Sequence, residues 1–104
     1  MIFQFNTDRT IHGDQQQQEY FETLITQEIN RYRNHISRID VHLSDENGNK
    51  KGGTKVRCLL EAQILHNPPI VVIDQSNTVD LAVAGALRKL KTSLERIHER
   101  YSSH

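Results

Sequence analysis

Apolar and polar residues alternate along this chain with two rhythms, and each rhythm assigns an element. Ile2 to Asn6 sets Phe3 and Phe5 against Gln4 and Asn6, a period of two that predicts a short strand. Thr7 to Gly13 is polar and ends in glycine, which reads as a loop. Phe21, Leu24, Ile25, Ile29 and Tyr32 then recur every three or four residues, while Glu19, Glu22, Gln27 and Arg31 point away. This is the stripe of an amphipathic helix, predicted over about 15–34, with Asp14 as its cap and Gln17 in the capping-box position. From Ser37 to Ser44 the period returns to two, with Ile39, Val41 and Leu43 on one side and Arg38, Asp40, His42 and Ser44 on the other. Asp45 to Gly53 contains Asn47-Gly48 and Gly52-Gly53 and predicts a long hairpin loop. Lys55 to Leu65 is a second alternating strand, with Val56, Cys58, Leu60, Ala62 and Ile64 inward. Lys55, Arg57, Glu61 and Gln63 face outward. His66-Asn67-Pro68-Pro69 reads as a turn, and Ile70 to Ile73 as a further β-branched strand ending at Asp74.

A last helix follows. Val79, Val83, Ala86, Leu87, Leu90, Leu94, Ile97 and Tyr101 recur at helical spacing, with Asn77 as the expected cap. Asp80 lies near the positive end of the helix and Arg96 and Arg100 toward the negative end. Gly85 falls inside it, where glycine costs about 1 kcal/mol relative to alanine. Its presence predicts close packing against the sheet.

The element order is therefore β-α-β-β-β-α. A β-α-β start implies a right-handed crossover with parallel first and second strands, and the hairpins that follow run antiparallel. Alternation leaves one sheet face apolar and the other polar, so both helices must cover the same face. The expected fold is α+β, a two-layer sandwich with a four-stranded mixed sheet and two helices on one face. The open face then carries Arg38, His42, Arg57, Glu61 and Gln63.

The 104 residues are expected to form a single domain spanning 1–104. Hydrophobic residues are 36% and charged residues 25%, a composition on the polar side for a soluble chain. No apolar run approaches a membrane span, and the N-terminus lacks the pattern of a secretory signal. With one cysteine, Cys58, no internal disulfide forms, and a cytoplasmic location is expected. The six histidines have no metal-ligand spacing, and the glycines near 48–53 lie between two strands, where a phosphate-binding loop does not belong. Asp40 and Glu61 face the same open surface, but a flat sheet offers no pocket for acid–base work. No catalytic residue, metal site or cofactor is expected.

Charge changes the picture more than composition. Residues 1–49 hold four Arg and eight acidic residues, a balance of −4; residues 50–104 hold nine Lys+Arg and five acidic residues, a balance of +4. In the last helix Lys89, Arg96 and Arg100 share a flank of the apolar stripe, with Arg88 and Lys91 nearby. Lys50, Lys51, Lys55 and Arg57 come from the long hairpin. Such cations can face phosphates without reading sequence, or can serve as an ordinary solvated face.

The stretch Val41-His42-Leu43-Ser44-Asp45-Glu46-Asn47-Gly48, then Lys51-Gly52-Gly53 and Arg57-Cys58-Leu59-Leu60-Glu61-Ala62, resembles one family. So do Asn6-Thr7-Asp8, and Gly85-Ala86 followed by Lys89-Leu90-Lys91. It is that of the ribosome hibernation promoting factors and ribosome-associated inhibitors, once labelled sigma-factor modulation proteins. The resemblance covers nearly the whole chain and is strongest from about 39 to 97. It implies the same β-α-β-β-β-α fold, shaped like a double-stranded-RNA-binding domain. It further implies a bacterial, non-catalytic, cofactor-free factor that binds small-subunit ribosomal RNA in the channel for messenger and transfer RNA, silencing translation in stationary phase or stress. On this resemblance the last helix faces the RNA: Lys89 matches the basic residue of a K-L pair, Arg96 a downstream basic position, and Lys91 a position basic in close relatives. Thr92, Gln63 and Val56 depart from positions where the family tends to carry basic residues. The chain resembles the short form, without a dimerisation domain, so a monomer is expected, with no membrane or small-molecule partner. The rival is a protein-interaction module of the same fold, for which interleaved carboxylates would be the signature.

Overall fold

The computed structural model describes residues 1–8, 15–45 and 55–102 of the 104-residue chain, with side chains through residue 100. The elements are β1 (Ile2–Thr7), α1 (Gln15–Glu28), a 3₁₀ helix (Asn30–His35), β2 (Ile36–Asp45), β3 (Val56–Ile64), β4 (Ile70–Ser76) and α2 (Val79–Ser102). The sheet order is β1-β2-β3-β4, with β1 parallel to β2 and the other pairs antiparallel. This is the α+β architecture expected from the alternation. The expected cap at Asp14 and the loop at 46–53 lie outside the described residues.

One core lies between the sheet and the two helices. Phe21 and Ile25 from α1, with Ile29 just after it, meet Ile39, Val41 and Leu43 from β2, Cys58 and Leu60 from β3, and Val83, Leu90 and Leu94 from α2; all are buried. Phe5 stacks on Phe21 with ring centroids 6.2 Å apart, tying the edge strand β1 to α1. Burying an aliphatic or aromatic side chain contributes about 1.5–3 kcal/mol, so this layer fixes which sheet face the helices cover.

Several features differ from the sequence expectation. The first helix does not run to residue 34: α1 ends at Glu28 and a 3₁₀ helix follows. The Tyr32 amide donates to the Ile29 carbonyl at 2.9 Å, an i to i−3 bond. In 3₁₀ geometry residues three apart align, so Ile29 and Tyr32 stay together on the core side while the chain tightens toward β2. The second difference is a bulge. Ile36 pairs with Ile64 and Arg38 with Gln63, leaving Ser37 as the extra residue; its hydroxyl donates to the Gln63 carbonyl at 3.4 Å. The bulge returns Ile36 to the core, three positions before Ile39. Third, the cap of α2 is Thr78 rather than Asn77: the Leu81 amide donates to Thr78 Oγ1 at 3.1 Å. β4 also runs past Ile73 to Ser76.

α2 lies along β3 and β4. Its 24 residues span about 36 Å, against about 23 Å for the seven residues of β4. The C-terminal turns therefore overrun the sheet and meet the 3₁₀ helix, where His98 lies edge-on to Tyr32 at 5.8 Å. Among the described residues no helix is long and apolar enough to cross a membrane.

Candidate nucleic-acid interface

Gly85 fixes how α2 sits on β4. A Cβ at this position would overlap the Asp74 carboxylate and press on the Asp74 Cβ at 3.3 Å. The helix therefore rides close to the strand, as the glycine predicted. One helical turn later Lys89 meets the same carboxylate. Its Nζ lies 3.2 Å from Asp74 Oδ1 and donates to the Ile73 carbonyl at 2.6 Å. At 100° per residue Lys89, Arg96 and Arg100 fall on one flank of α2, and the Lys89 contacts show that this flank faces the β4 edge.

Lys91 lies on the opposite flank, toward α1. Its ammonium donates to Glu28 Oε2 at 2.8 Å, closing a groove of about 420 Å³ between the two helices. That hydrogen bond, with the charge of Glu28 behind it, holds the Lys91 pKa above its ordinary value. Glu95, four residues on along α2, adds only a weaker charge effect. Arg88 is exposed at the rim of the same groove, which Glu95 also lines.

The hairpin cations sit elsewhere. Val56 and Cys58 are buried toward the helices, so Arg57 between them points to the open sheet face, opposite Ser44 and Gln75. Lys55 is exposed just before β3. Lys50 and Lys51 lie outside the described residues. The structure thus brings Lys89, Arg96 and Arg100 onto one flank but places Arg57 on the other layer. Arg57 and Arg100 each take part in an intramolecular interaction. Arg88, Arg96 and Lys55 make no side-chain hydrogen bond or ion pair among the described residues.

The open sheet face is less polar than the alternation implied. Its middle row runs Asn6, His42, Leu59, Ile73 across the four strands, and Val71 stands beside Glu61. Asp40 and Glu61 are cross-strand partners, as expected. Arg38 occupies Asp40 with both ends of its guanidinium, at 2.8 and 3.0 Å, and reaches Gln4 on β1. That fork holds the Asp40 carboxyl below the ordinary carboxylate range against the opposing effect of burial. An ionised carboxylate held bidentately by Arg38 of its own strand aims that guanidinium at Gln4 on β1 and is unsuited to proton transfer. Cys58 is equally inert: burial, helped by Asp74, pushes its thiol up to about 12.

Two acidic residues matter here that the sequence reading passed over, Asp74 and Glu28. The signal for Asp74 was a carboxylate ending a β-branched run, followed by a glycine inside a helix. Glu28 gave no comparable signal, because it meets Lys91 across 63 residues of chain.

The fold and its cation-bearing long helix define a two-layer α+β domain with an open sheet. The sequence profile of the family described as "Sigma 54 modulation protein / S30EA ribosomal protein" matches residues 6–102, and the chain belongs to that family. Among the solved structures that share the fold are the following two. The Protein Y N-terminal domain of Thermus thermophilus superposes with a TM-score of 0.73 at 19% identity, covering 92% of this chain and 97% of that one. A ribosomal subunit interface protein from Coxiella burnetii also gives 0.73, at 16% identity, covering 95% of this chain and 99% of that one. No curated protein sequence matches.

Proposed function

We propose that this chain is a ribosome-associated silencing factor that docks on the small subunit, against ribosomal RNA in the channel for messenger and transfer RNA, in stationary or stressed cells. The observation that carries this reading is the family match over residues 6–102. Arg88, Arg96 and Arg100 on the exposed side of α2 are its proposed phosphate contacts, with Lys89 and Lys91 joining if they exchange Asp74 and Glu28 for phosphate. Lys55 and Arg57 form a second, separate group of proposed contacts, to which Lys50 and Lys51 are added on the sequence alone. The factor acts by occupancy, as a cytoplasmic monomer without cofactor or catalysis. If about five phosphates are neutralised, a fourfold rise in salt lowers affinity by roughly 10²–10³-fold. Co-sedimentation with 30S and 70S particles at low and high salt tests this. Particle-bound protein at low salt, lost at high salt and lost on combining Arg88→Glu with Arg96→Glu, is the expected result. Protein that stays at the top of the gradient at every salt ends the proposal.

A protein-interaction module is the second reading, and the pairing of Lys89 with Asp74 and of Lys91 with Glu28 favours it. These carboxylates reduce the positive field of α2. Under this reading the double Arg variant leaves partner capture unchanged, and the partner is a protein recovered from ribosome-free fractions.

A further inference from the structure

β4 is an edge strand, and edge strands recruit other strands unless something prevents it. In an antiparallel ladder, residues alternate between those whose N–H and C=O both face the neighbour and those whose groups both face away. The Leu43 carbonyl accepts the Asp8 amide on the β1 side, so through the register His42–Leu59 and then Cys58–Asp74 are the hydrogen-bonded pairs, and the Ile73 carbonyl, left facing away from β3, receives Lys89 Nζ from α2. Ile73 therefore belongs to the outward set, with Val71 and Gln75 two residues to either side. Their side chains stand on the open face, where Val71 is 51% and Ile73 37% exposed. An outward ladder beside two exposed β-branched side chains is a template for strand addition.

The template is complementary to itself. Two β4 strands laid antiparallel and centred on Ile73 place Val71 of each copy opposite Gln75 of the other. All three outward residues then find main-chain partners, and the exposed Val71 and Ile73 side chains of the two copies join on one continuous face. What stands in the way is Lys89. Its ammonium occupies the central carbonyl of the ladder and is held there by Asp74 at 3.2 Å. An incoming strand would have to displace a charged donor from that carbonyl and leave the lysine hanging over the new pair. The opposite edge has less need of such a device, because β1 alternates Gln4 and Asn6 with Ile2 on its open-face side.

We propose that Lys89 guards the β4 edge, keeping a second copy of this chain from pairing with it. The guard works from the helix: Gly85 lets α2 approach the strand closely enough for the Lys89 side chain to reach round to the carbonyl. This role is independent of ribosome binding and gives Lys89 a purpose in the free protein.

The test is the oligomeric state of Lys89→Met, followed by light scattering across a wide concentration range. The wild type and Lys89→Arg, which keeps a charged donor, should remain at monomer mass. Lys89→Met should rise with concentration toward twice that mass, and adding Ile73→Lys should return it to monomer. A Lys89→Met protein that is monomeric at every concentration overturns the proposal. So does a dimer that Ile73→Lys leaves intact, since its interface would lie elsewhere. Lys89→Gln is run in parallel with circular dichroism; loss of the fold in both variants also overturns it, because a guard lies outside the core.

Discussion

Gly85 and Asp74 constrain each other where α2 crosses β4. The helix accepts a glycine because the carboxylate occupies the space a methyl group would need. Gly85→Ala alone should destabilise the protein by about 1–3 kcal/mol through overpacking. In an Asp74→Ala background the same change should become neutral or stabilising by up to about 1 kcal/mol, as helix propensity takes over. Urea denaturation of the four proteins in the cycle measures the coupling. Asp40 gives a second residue-level expectation. Its folded pKa lies below the ordinary 3.8 because Arg38 holds the ionised form. Its contribution is therefore fully present above about pH 3.8 and is lost as pH falls through the lower, folded value. Asp40→Asn should cost stability near neutral pH, and the gap to wild type should narrow under acid, as read from denaturation curves between those limits. Of these groups Gly85 and the open-face position of Asp40 were legible in the sequence. The partners of Arg38, Lys89 and Lys91 were not legible, because choosing among several carboxylates requires knowing which strand or helix lies alongside.

Elements were legible where one period held without interruption. Leu43, Val41 and Ile39 on β2 and Cys58, Leu60 and Ala62 on β3 alternate strictly, and all are buried. Where the local chemistry permits two answers, periodicity could not decide. A spacing of three from Ile29 to Tyr32 suits an α-helix and a 3₁₀ helix equally, so the end of α1 was overrun. Ile36 stood out of phase with Ile39 because nothing in the residue types marks Ser37 as a bulge. Asn77 and Thr78 are both good caps, and only the hydrogen bond to Leu81 separates them. Thr78→Ala should therefore cost about 1 kcal/mol. Asn77→Ala should stay within about 0.5 kcal/mol, the usual range for surface substitutions without a special role. Thermal unfolding of the two variants makes the comparison directly.

At the scale of the whole molecule, the acidic first half and basic second half are folded against each other. Glu28 on α1 meets Lys91 on α2, so part of the charge asymmetry along the chain is spent internally. The sequence located Arg57 on the open face and the α2 cations on the helix, and the structure keeps the two groups on opposite sides of the sheet. One feature of the sheet has a kinetic side as well. β2, β3, β4 and α2 follow one another as an uninterrupted antiparallel meander closed by its helix, whereas β1 joins in parallel, after a crossover through α1. Neighbouring pieces meet at low loop-closure cost, and a distant returning strand meets late. The meander should therefore consolidate first as a nucleus, with β1 arriving as the closing piece. In pulse-labelling of amide hydrogens during refolding, β3 and β4 should gain protection ahead of Phe3 and Phe5, making the amino-terminal strand the last part of this domain to become native.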